Sequence, residues 1–266
     1  MTEHVLYERD GHIVTLTLNQ PELRNPVSDD DMVDAILAAL IRLENDPDAR
    51  VAILTGAGSA FSSGGNLKKM ASGDGLASAS PIKTRRNYLT GIQRLPRAFA
   101  ALEVPIVAAV NGPAIGAGCD LACMCDIRVA GESAKFAESF VKLGIIPGDG
   151  GAWLLPHVVG HAKAAEMALT GDLVDAAEAL RIGLVSKVVP DAELLDAARA
   201  YANRIAANPP QAVRMTKRLL WEARQASLET VLQLSAAMQA LAHTTSDNKE
   251  AMTAFLEKRP PQFKGQ

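Results

Sequence analysis

Alternating apolar and polar positions divide the first half of the chain into short strands and helices. Residues 5–9 and 12–18 are two extended runs joined by an Asp-Gly pair, which suits a tight turn, so they predict a β-hairpin. Apolar residues then recur with the helical period over residues 32–41, which predicts a helix with Ser28 as its capping residue. Compact apolar runs predict buried strands at residues 51–54, 107–110 and 126–130.

Glycine-rich turns follow two of these strands. The first continues through Ala60-Phe-Ser-Ser-Gly-Gly-Asn-Leu67. The second reads Asn111-Gly-Pro-Ala-Ile-Gly-Ala-Gly-Cys-Asp120 and leads into a helix predicted at residues 116–123. Glycine lets the backbone approach a ligand closely, and a helix that starts after such a turn presents free N–H groups. If the two turns meet, each can point one N–H at the same oxygen. The sequence therefore predicts an oxyanion hole, and with it an enzyme that acts on a carbonyl group.

Strand, turn and helix alternate twice in this region, which favours the α/β fold class. A basic helix is predicted over residues 81–101, and a third glycine-rich turn at 145–152 leads into another helix. Residues 72–80 are rich in Ser, Ala and Gly and predict a mobile loop; with the stretch up to residue 90, they are expected to shape a substrate pocket. From Asp191 onward helices dominate, which indicates a packing or oligomerisation appendage.

Composition narrows the function classes. The 266 residues are 48% hydrophobic and 21% charged, as in ordinary soluble domains, and the net charge of −3 gives no electrostatic reason to expect a nucleic-acid or membrane partner. No apolar run reaches the roughly 20 residues that span a bilayer, and the N-terminus lacks the pattern of a signal peptide, so we expect a cytoplasmic protein. No metal site is expected, because Cys119, Cys123 and Cys125 are interpreted as buried thiols, and His157 and His161 as surface histidines.

Four ordered segments of the chain resemble the crotonase family, the enoyl-CoA hydratase/isomerase group. They are Phe61-Ser-Ser-Gly-Gly-Asn-Leu, Asn111-Gly-Pro-Ala-Ile-Gly-Ala-Gly-Cys-Asp, Leu143-Gly-Ile-Ile-Pro-Gly-Asp-Gly-Gly and Phe255-Leu-Glu-Lys-Arg-Pro. The resemblance implies a crotonase-like core of repeated ββα units wound as a spiral over residues 1–200. It also implies a helical region over residues 201–266 that builds trimers, which often stack into hexamers. The implied substrate is an acyl-CoA thioester, so coenzyme A enters as part of the substrate and no separate cofactor is expected.

The same resemblance assigns candidate contacts to the substrate. The thioester carbonyl would accept hydrogen bonds from the backbone N–H groups of Gly65 and Ala117. The side chains implied for the coenzyme A portion are those of Arg24, Lys68, Phe255 and Lys258. The rest of the substrate site is expected at Ser63, Gly64, Asn66, Gly116 and Phe140.

Carboxyl groups would move the protons, and here the sequence departs from the family pattern. Hydratases of the family carry two glutamates, whereas this chain has Asp120 at the first position and Phe140 at the second. Glu138 lies nearby and shares a face with Phe140 if the segment is extended. Asp149 follows Gly148, the position where some isomerases of the family carry their carboxylate. Asp120 is the first candidate, ahead of Asp149 and Glu138. The alternatives are that Asp149 caps a helix, that Glu138 is a surface acid and that Asp120 caps or pairs within the core.

Hydration of a 2-enoyl-CoA is the leading hypothesis for the reaction, and Δ3–Δ2 isomerisation is the second. An isomerase would need one carboxylate, and Phe140 would then belong to a water-poor wall. An acyl-CoA hydrolase and a non-catalytic acyl-CoA-binding protein stay open as further alternatives. A dinucleotide-binding dehydrogenase is disfavoured, because Leu121 stands where that fingerprint needs a third glycine or an alanine.

Overall fold

A computed structural model describes residues 3–72 and 75–266 of the chain as a mixed α/β structure. The strands are β1 (Val5–Asp10), β2 (Ile13–Leu18), β3 (Val51–Gly56), β4 (Ile106–Val110), β5 (Pro113–Ile115), β6 (Ile127–Gly131), β7 (Lys135–Ala137), β8 (Val174–Asp175) and β9 (Lys187–Val189). The helices are α1 (Asp30–Asn45), α2 (Leu67–Ser72), α3 (Pro81–Thr90), α4 (Arg94–Ala101), α5 (Ala117–Met124), α6 (Gly151–Val159), α7 (His161–Thr170), α8 (Ala176–Arg181), α9 (Leu194–Ala206), α10 (Pro210–Glu222), α11 (Leu228–Thr244) and α12 (Ser246–Glu257). Short 3-10 turns occupy Pro21–Leu23, Ser139–Leu143 and Asp191–Glu193.

Within the described residues, a six-stranded sheet in the order β1-β2-β3-β4-β6-β9 forms the centre of the fold. The predicted hairpin is confirmed: β1 and β2 are antiparallel, with Val5 opposite Leu18 and Asp10 opposite Ile13. The other pairs in this sheet are parallel. β3 and β4 are buried along their whole length, which accounts for their continuous apolar runs. Their alternate residues enter two separate hydrophobic clusters.

A smaller sheet, β5-β7-β8, gives the chain its repeated ββα pattern. In one repeat β4 joins the large sheet, β5 joins the small sheet, and α5 follows. In the repeat before it, β3 joins the large sheet, Ser62 pairs with Ala114 of β5, and α2 follows. Because β3 and β4 are parallel neighbours, the glycine-rich turns that follow them lie at the same edge of the large sheet.

Two predicted helices differ from those in the structure. The basic helix expected over residues 81–101 is two helices, α3 and α4, because the backbone leaves the helical conformation at Gly91, where ψ is −116°. Ser28 does not cap α1, which has Asp29 at its N-cap position. The Ser28 hydroxyl instead accepts the backbone N–H of Asn66 at 2.9 Å, so it holds the first glycine-rich turn.

The loop predicted over residues 72–80 lies partly outside the described residues, at Gly73 and Asp74. Its described part is anchored to α3, since Nδ2 of Asn87 donates a hydrogen bond to the carbonyl oxygen of Leu76 at 3.0 Å. The Leu76 side chain is buried in the larger hydrophobic core. This part of the loop therefore brings an apolar side chain toward the interior.

The C-terminal helices differ in how they pack. α9 buries Leu194, Ala198 and Ala202 against strands of the central sheet, and the predicted domain boundary at residue 200 falls inside this helix. α10 and α11 have no fully buried residue, and Leu220 and Leu228 on them are 67% and 75% exposed. Among residues 3–72 and 75–266, no helix combines the length and the apolar character that crossing a bilayer requires.

Candidate active site

A cavity of about 90 Å³ lies where the two glycine-rich turns meet. Both turns contribute to its wall, together with α2, the Leu76 segment, α3 and the chain that leads into α6. Most of the lining is apolar. The aliphatic and thioether side chains that face it include Leu67, Met70, Leu76, Ile92, Leu143 and Ile145.

Gly65 lies on one side of this cavity with its backbone N–H unused. The N–H groups on either side of it are occupied: Gly64 donates to Oγ of Ser62 at 3.1 Å, and Asn66 donates to Oγ of Ser28 at 2.9 Å. Within the described part of the chain, the N–H of Gly65 has no acceptor. An unpaired N–H beside a cavity is a ready donor for a ligand oxygen.

Ala117, the first residue of α5, lies in the wall of the same cavity. Its N–H belongs to the first turn of a helix, which has no intrahelical acceptor, and the described residues supply no other acceptor. The preceding N–H, of Gly116, is taken by the carbonyl oxygen of Ala137 at 2.7 Å. The structure thus brings both predicted oxyanion donors to one cavity with both N–H groups unpaired.

Gly64 allows the two turns to pack this closely. Its φ is +80°, which disfavours any side chain, and a Cβ at this position would lie 2.1 Å from the carbonyl oxygen of Ile115. The same Cβ would lie 3.1 Å from the backbone nitrogen of Ala117. A larger residue at position 64 would therefore separate the two donors.

The three candidate carboxyl groups are all buried. Asp120 is 0% exposed, Glu138 is 1% exposed and Asp149 is 2% exposed. The alternative that Glu138 is a surface acid is therefore wrong. The alternative that Asp149 caps a helix is also wrong, because Gly150 is the N-cap residue of α6 and no side chain caps that helix.

These carboxyl groups interact with one another, and no basic side chain among residues 3–72 and 75–266 pairs with them. Within the described residues, both oxygens of Asp120, both of Glu138 and Oδ1 of Asp149 accept no hydrogen bond from a backbone N–H or from a hydroxyl, amide or basic side chain. Burial, followed by the charges of Asp149 and Glu138, raises the pKa of Asp120 well above its usual range. Burial raises the pKa of Glu138 to about 7. Burial also raises the pKa of Asp149, although a hydrogen bond from Asp120 acts in the opposite direction.

Asp149 is the one carboxyl group among the described residues that line the cavity. Asp120 and Glu138 lie outside this lining, although Asp120 occupies the position of the first family glutamate. Phe140 occupies the position of the second, and its ring faces the cavity about 3.4 Å from where a Cβ of Gly116 would stand. The pocket therefore has an aromatic wall in place of a second acid.

Tyr88, on α3, is a cavity residue that the sequence analysis did not single out, although it falls in the stretch expected to shape the pocket. Burial and the charge of Asp149 raise the pKa of its phenol. A Cβ at Gly148 would lie 2.7 Å from Cε1 of Tyr88. The tyrosine ring thus occupies the space next to the position where some isomerases of the family carry their carboxylate.

The residues expected to contact coenzyme A fall into two groups. Arg24, Ser63, Asn66 and Lys68 line an open depression next to the cavity, and Ser63 and Gly65 belong to both. Nδ2 of Asn66 donates to Oδ2 of an aspartate in the loop before α1 at 3.0 Å, so this side chain also fixes the turn.

Phe255 and Lys258, at the end of α12, line neither space, and the Phe255 side chain is 81% exposed. The substrate contacts of all these residues stay predictions.

No group of metal-ligating side chains forms a metal site among residues 3–72 and 75–266. Cys119, Cys123 and Cys125 are buried free thiols, which confirms their interpretation. His157 and His161 are exposed, as expected of surface histidines.

The family model for enoyl-CoA hydratase/isomerase matches residues 8–266. The chain belongs to the enoyl-CoA hydratase/isomerase family. It is 40% identical over 261 residues to a Mycobacterium tuberculosis protein named "Probable enoyl-CoA hydratase echA8", with 98% of each chain covered. It is 38% identical over 266 residues to the 1,2-epoxyphenylacetyl-CoA isomerase of Escherichia coli, with 100% of each chain covered.

Solved structures agree with this assignment. An enoyl-CoA hydratase from Bacillus anthracis has a TM-score of 0.92 and 34% identity, and the match covers 99% of this chain and 100% of that one. The crotonase-like fold expected from the sequence is therefore confirmed, and the family's substrates are acyl-CoA thioesters. Relatives with both hydratase and isomerase names match over nearly the whole chain, so the choice between these reactions depends on the site.

Proposed function

We propose that this protein is an enoyl-CoA isomerase that moves a double bond from the Δ3 to the Δ2 position of an acyl-CoA thioester. One observation carries the proposal: among the described residues that line the cavity, Asp149 supplies the single carboxyl group. A 1,3-proton shift needs one group that takes a proton from one carbon and returns it to another. The sequence analysis ranked hydration first, and the position of Phe140 in the cavity wall supports our placing isomerisation ahead of it.

The oxyanion hole makes the proton at C2 acidic. The thioester carbonyl oxygen accepts hydrogen bonds from the N–H groups of Gly65 and Ala117, which stabilise the negative charge that develops when C2 loses its proton. Asp149, in its ionised form, takes that proton, and the electrons delocalise through the former double bond to give a dienolate. The same carboxyl group then protonates C4, and the double bond lies between C2 and C3. No water is consumed.

The apolar wall protects this intermediate. Phe140, Leu143 and Ile92 face the cavity near the single acid, and a site from which water is excluded strengthens the electrostatic effect of the two N–H donors. A dry wall also keeps water away from C3 of the product, where addition would yield a 3-hydroxyacyl thioester.

Hydration of a 2-enoyl-CoA is the second candidate, and sequence similarity to proteins named as hydratases favours it. Crotonyl-CoA hydratase from Syntrophomonas wolfei is 37% identical to this chain and covers 98% of it. The cavity also has hydroxyl groups, on Ser139 and Tyr88, that could hold a water molecule. In this reaction Asp149 would take a proton from the water that attacks C3 and would deliver a proton to C2.

The test supplies matched 3-enoyl- and 2-enoyl-CoA substrates and identifies the products by mass and chromatography. The proposal expects 3-enoyl-CoA to become 2-enoyl-CoA at unchanged mass, and expects Asp149→Asn to slow the conversion by about 10²–10⁴-fold. Asp172→Asn is the matched control, because this aspartate is on the surface and pairs with Lys142. A gain of one water by the 2-enoyl substrate, without isomerisation, would make the enzyme a hydratase. Hydrolysis to free coenzyme A, or binding without turnover, would support the remaining alternatives.

Coenzyme A is proposed to lie in the open depression beside the cavity, as part of the substrate and without a separate cofactor. Arg24 and Lys68 line that depression and offer positive charge to phosphate groups. Phe255 and Lys258 stay proposed contacts for the same portion of the ligand. Isothermal titration with coenzyme A should show weaker binding for Lys68→Ala and Lys258→Ala than for the unaltered protein.

Self-association into trimers or hexamers is proposed for the helical C-terminal region, with residues 1–200 as the core. The exposed leucines of α10 and α11 support it, since large exposed apolar surfaces are typical of interfaces. Light scattering at several protein concentrations would test the oligomeric state. A cytoplasmic location stays a prediction, which cell fractionation would test.

A further inference from the structure

Asp120 lies between the proposed base and a second buried acid. The Asp120 carboxyl group shares a hydrogen bond with Asp149, which lines the cavity, and another with Glu138, which does not. Gly151 makes room for it: a Cβ there would lie 2.1 Å from Oδ1 of Asp120 and 2.6 Å from Oδ2. Hydrogen bonds join Asp120 to each of the other two acids and do not join Asp149 to Glu138, so the three form a row that starts at Asp149 in the cavity wall.

The row cannot carry three negative charges. Five of its oxygens accept no hydrogen bond from a backbone N–H or from a hydroxyl, amide or basic side chain among the described residues, and this includes the N–H groups at the start of α6. Among the residues that the structure describes, the titratable groups around the row add no positive charge: α5 contributes Cys119, α3 contributes Tyr88, and the other neighbours are the acids themselves. Burying an unpaired carboxylate is expensive, so the acids share protons instead.

The middle position decides where the first proton stays. A proton on Asp120 separates the two outer charges and can be donated to Asp149, whereas a proton on either outer acid leaves two adjacent charges. Burial and both neighbouring charges raise the pKa of Asp120 well above its usual range, which agrees with this placement. The hydrogen bond from Asp120 lowers the pKa of Asp149, as donation to an ionised carboxylate would.

We propose that Asp120 is a neutral hydrogen-bond donor that keeps Asp149 ionised and oriented, and that it never exchanges a proton with the substrate. Asp120 is thus a positioning residue, even though it occupies the place of a family glutamate. The proposal rests on the proposed function in one respect, because it takes Asp149 to be the group that moves the proton.

The Asp120→Asn variant tests this role, because an amide N–H₂ replaces the donating hydroxyl without adding a charge. Asp120→Ala removes the donor altogether. For Asp120→Ala we expect the acidic limb of the kcat/KM profile to move to higher pH by about one to two units, as loss of a hydrogen bond to a charged group produces. Asp120→Asn should reverse most of that shift and keep kcat/KM within about tenfold of the unaltered enzyme. Asp149→Asn should lower kcat/KM by about 10²–10⁴-fold.

A folded Asp120→Asn variant that is as inactive as Asp149→Asn would overturn the proposal, because Asp120 would then have to exchange a proton itself. Thermal unfolding of each variant establishes that it is folded. If Asp120→Ala does not fold, the comparison of Asp120→Asn with Asp149→Asn still decides the question.

An infrared measurement separates this proposal from the proposed function. At pH 9, above the pKa of about 7 that burial gives Glu138, the protein should show the carbonyl band of a buried protonated carboxylic acid, and Asp120→Asn should remove that band. If the band is present while no enoyl-CoA is converted, the proposed function fails and the neutral state of Asp120 stands. If the band is unchanged in Asp120→Asn, the proton lies elsewhere and the proposal fails, whatever the reaction is.

Discussion

Replacing Ala117 by proline would delete one oxyanion donor and leave the fold intact. Ala117 is the first residue of α5, a position where proline is well tolerated. Its N–H has no acceptor within the described residues, so no internal hydrogen bond is lost. The residue before a proline is excluded mainly from the helical region, and Gly116 lies far from it, at φ 53° and ψ −119°.

The expected loss follows from the number of donors removed. Each donor of an oxyanion hole contributes about 3–4 kcal/mol to transition-state stabilisation, so one deletion lowers kcat by about 10²–10³-fold. The assay follows conversion of 3-enoyl-CoA at saturating substrate, so that kcat is separated from KM. Ala117→Gly is the matched control: it keeps the N–H and should stay within about tenfold of the unaltered enzyme.

Retention of kcat within tenfold by folded Ala117→Pro protein would refute the oxyanion-hole reasoning. The proline ring adds bulk inside a cavity of about 90 Å³, and obstruction alone could also slow the reaction. An amide-to-ester substitution at position 117 replaces the N–H by oxygen without added bulk. The ester should show a loss of similar size, whereas full activity of the ester would attribute the proline effect to obstruction.

Three further predictions follow from the carboxyl groups and their surroundings. Asp149→Asn should lower kcat by about 10²–10⁴-fold, measured beside Asp172→Asn, and equal losses in both variants would contradict a role in proton transfer. Phe140→Glu should raise the rate of water addition to 2-enoyl-CoA relative to Phe140→Gln, because it restores the second carboxylate of the hydratase pattern; equal rates would mean that the aromatic wall does not decide the reaction. For Glu138, the pKa in the folded protein is about 7 against an ordinary value of 4.5, so the folded protein keeps a proton that the unfolded chain releases between these pH values. Rising pH therefore lowers the free energy of unfolding across this window, by on the order of 3 kcal/mol, and Glu138→Gln should remove the loss. Urea denaturation at pH 5 and pH 8 measures this, and an unchanged pH dependence in Glu138→Gln would contradict it.

The features that could be predicted from the sequence are those fixed by neighbouring residues. The hairpin was predicted from two alternating runs and an Asp-Gly pair, and the two glycine-rich turns were predicted from the positions of their glycines. The family resemblance singled out Gly65 and Ala117 within those turns, and both lie in the wall of one cavity. Such local patterns need no knowledge of distant contacts.

The features that could not be predicted depend on packing between distant segments. The residues next to Glu138 in the sequence give no sign that its side chain is buried. It is buried because its segment packs against Asp120 of α5. Tyr88 belongs to no sequence motif. It reaches the cavity because α3 packs against Gly148, which lies far along the chain from Tyr88. Ser28 has the sequence position of a helix cap, yet its hydroxyl accepts a hydrogen bond from the backbone N–H of Asn66 in the first glycine-rich turn.

The order of the candidate acids also changed for a reason the sequence could not supply. Asp120 ranked first because of its motif position, but the direction in which a side chain meets a cavity depends on the whole fold. Asp149 faces the cavity, while Asp120 lies behind it against Gly151. The motif position therefore identified the neighbourhood of the acid, and the structure shows which acid lines the cavity.

The central claim is that Asp149 alone carries a proton from C2 to C4 of the bound thioester. Its most direct test supplies 3-enoyl-CoA deuterated at C2 in ordinary water and locates the label in the product by mass spectrometry and NMR. The account predicts 2-enoyl-CoA with part of the deuterium at C4, because one carboxyl group takes and returns it in a water-poor cavity. A 3-hydroxyacyl-CoA product that has gained a water, with no deuterium at C4, would contradict the claim.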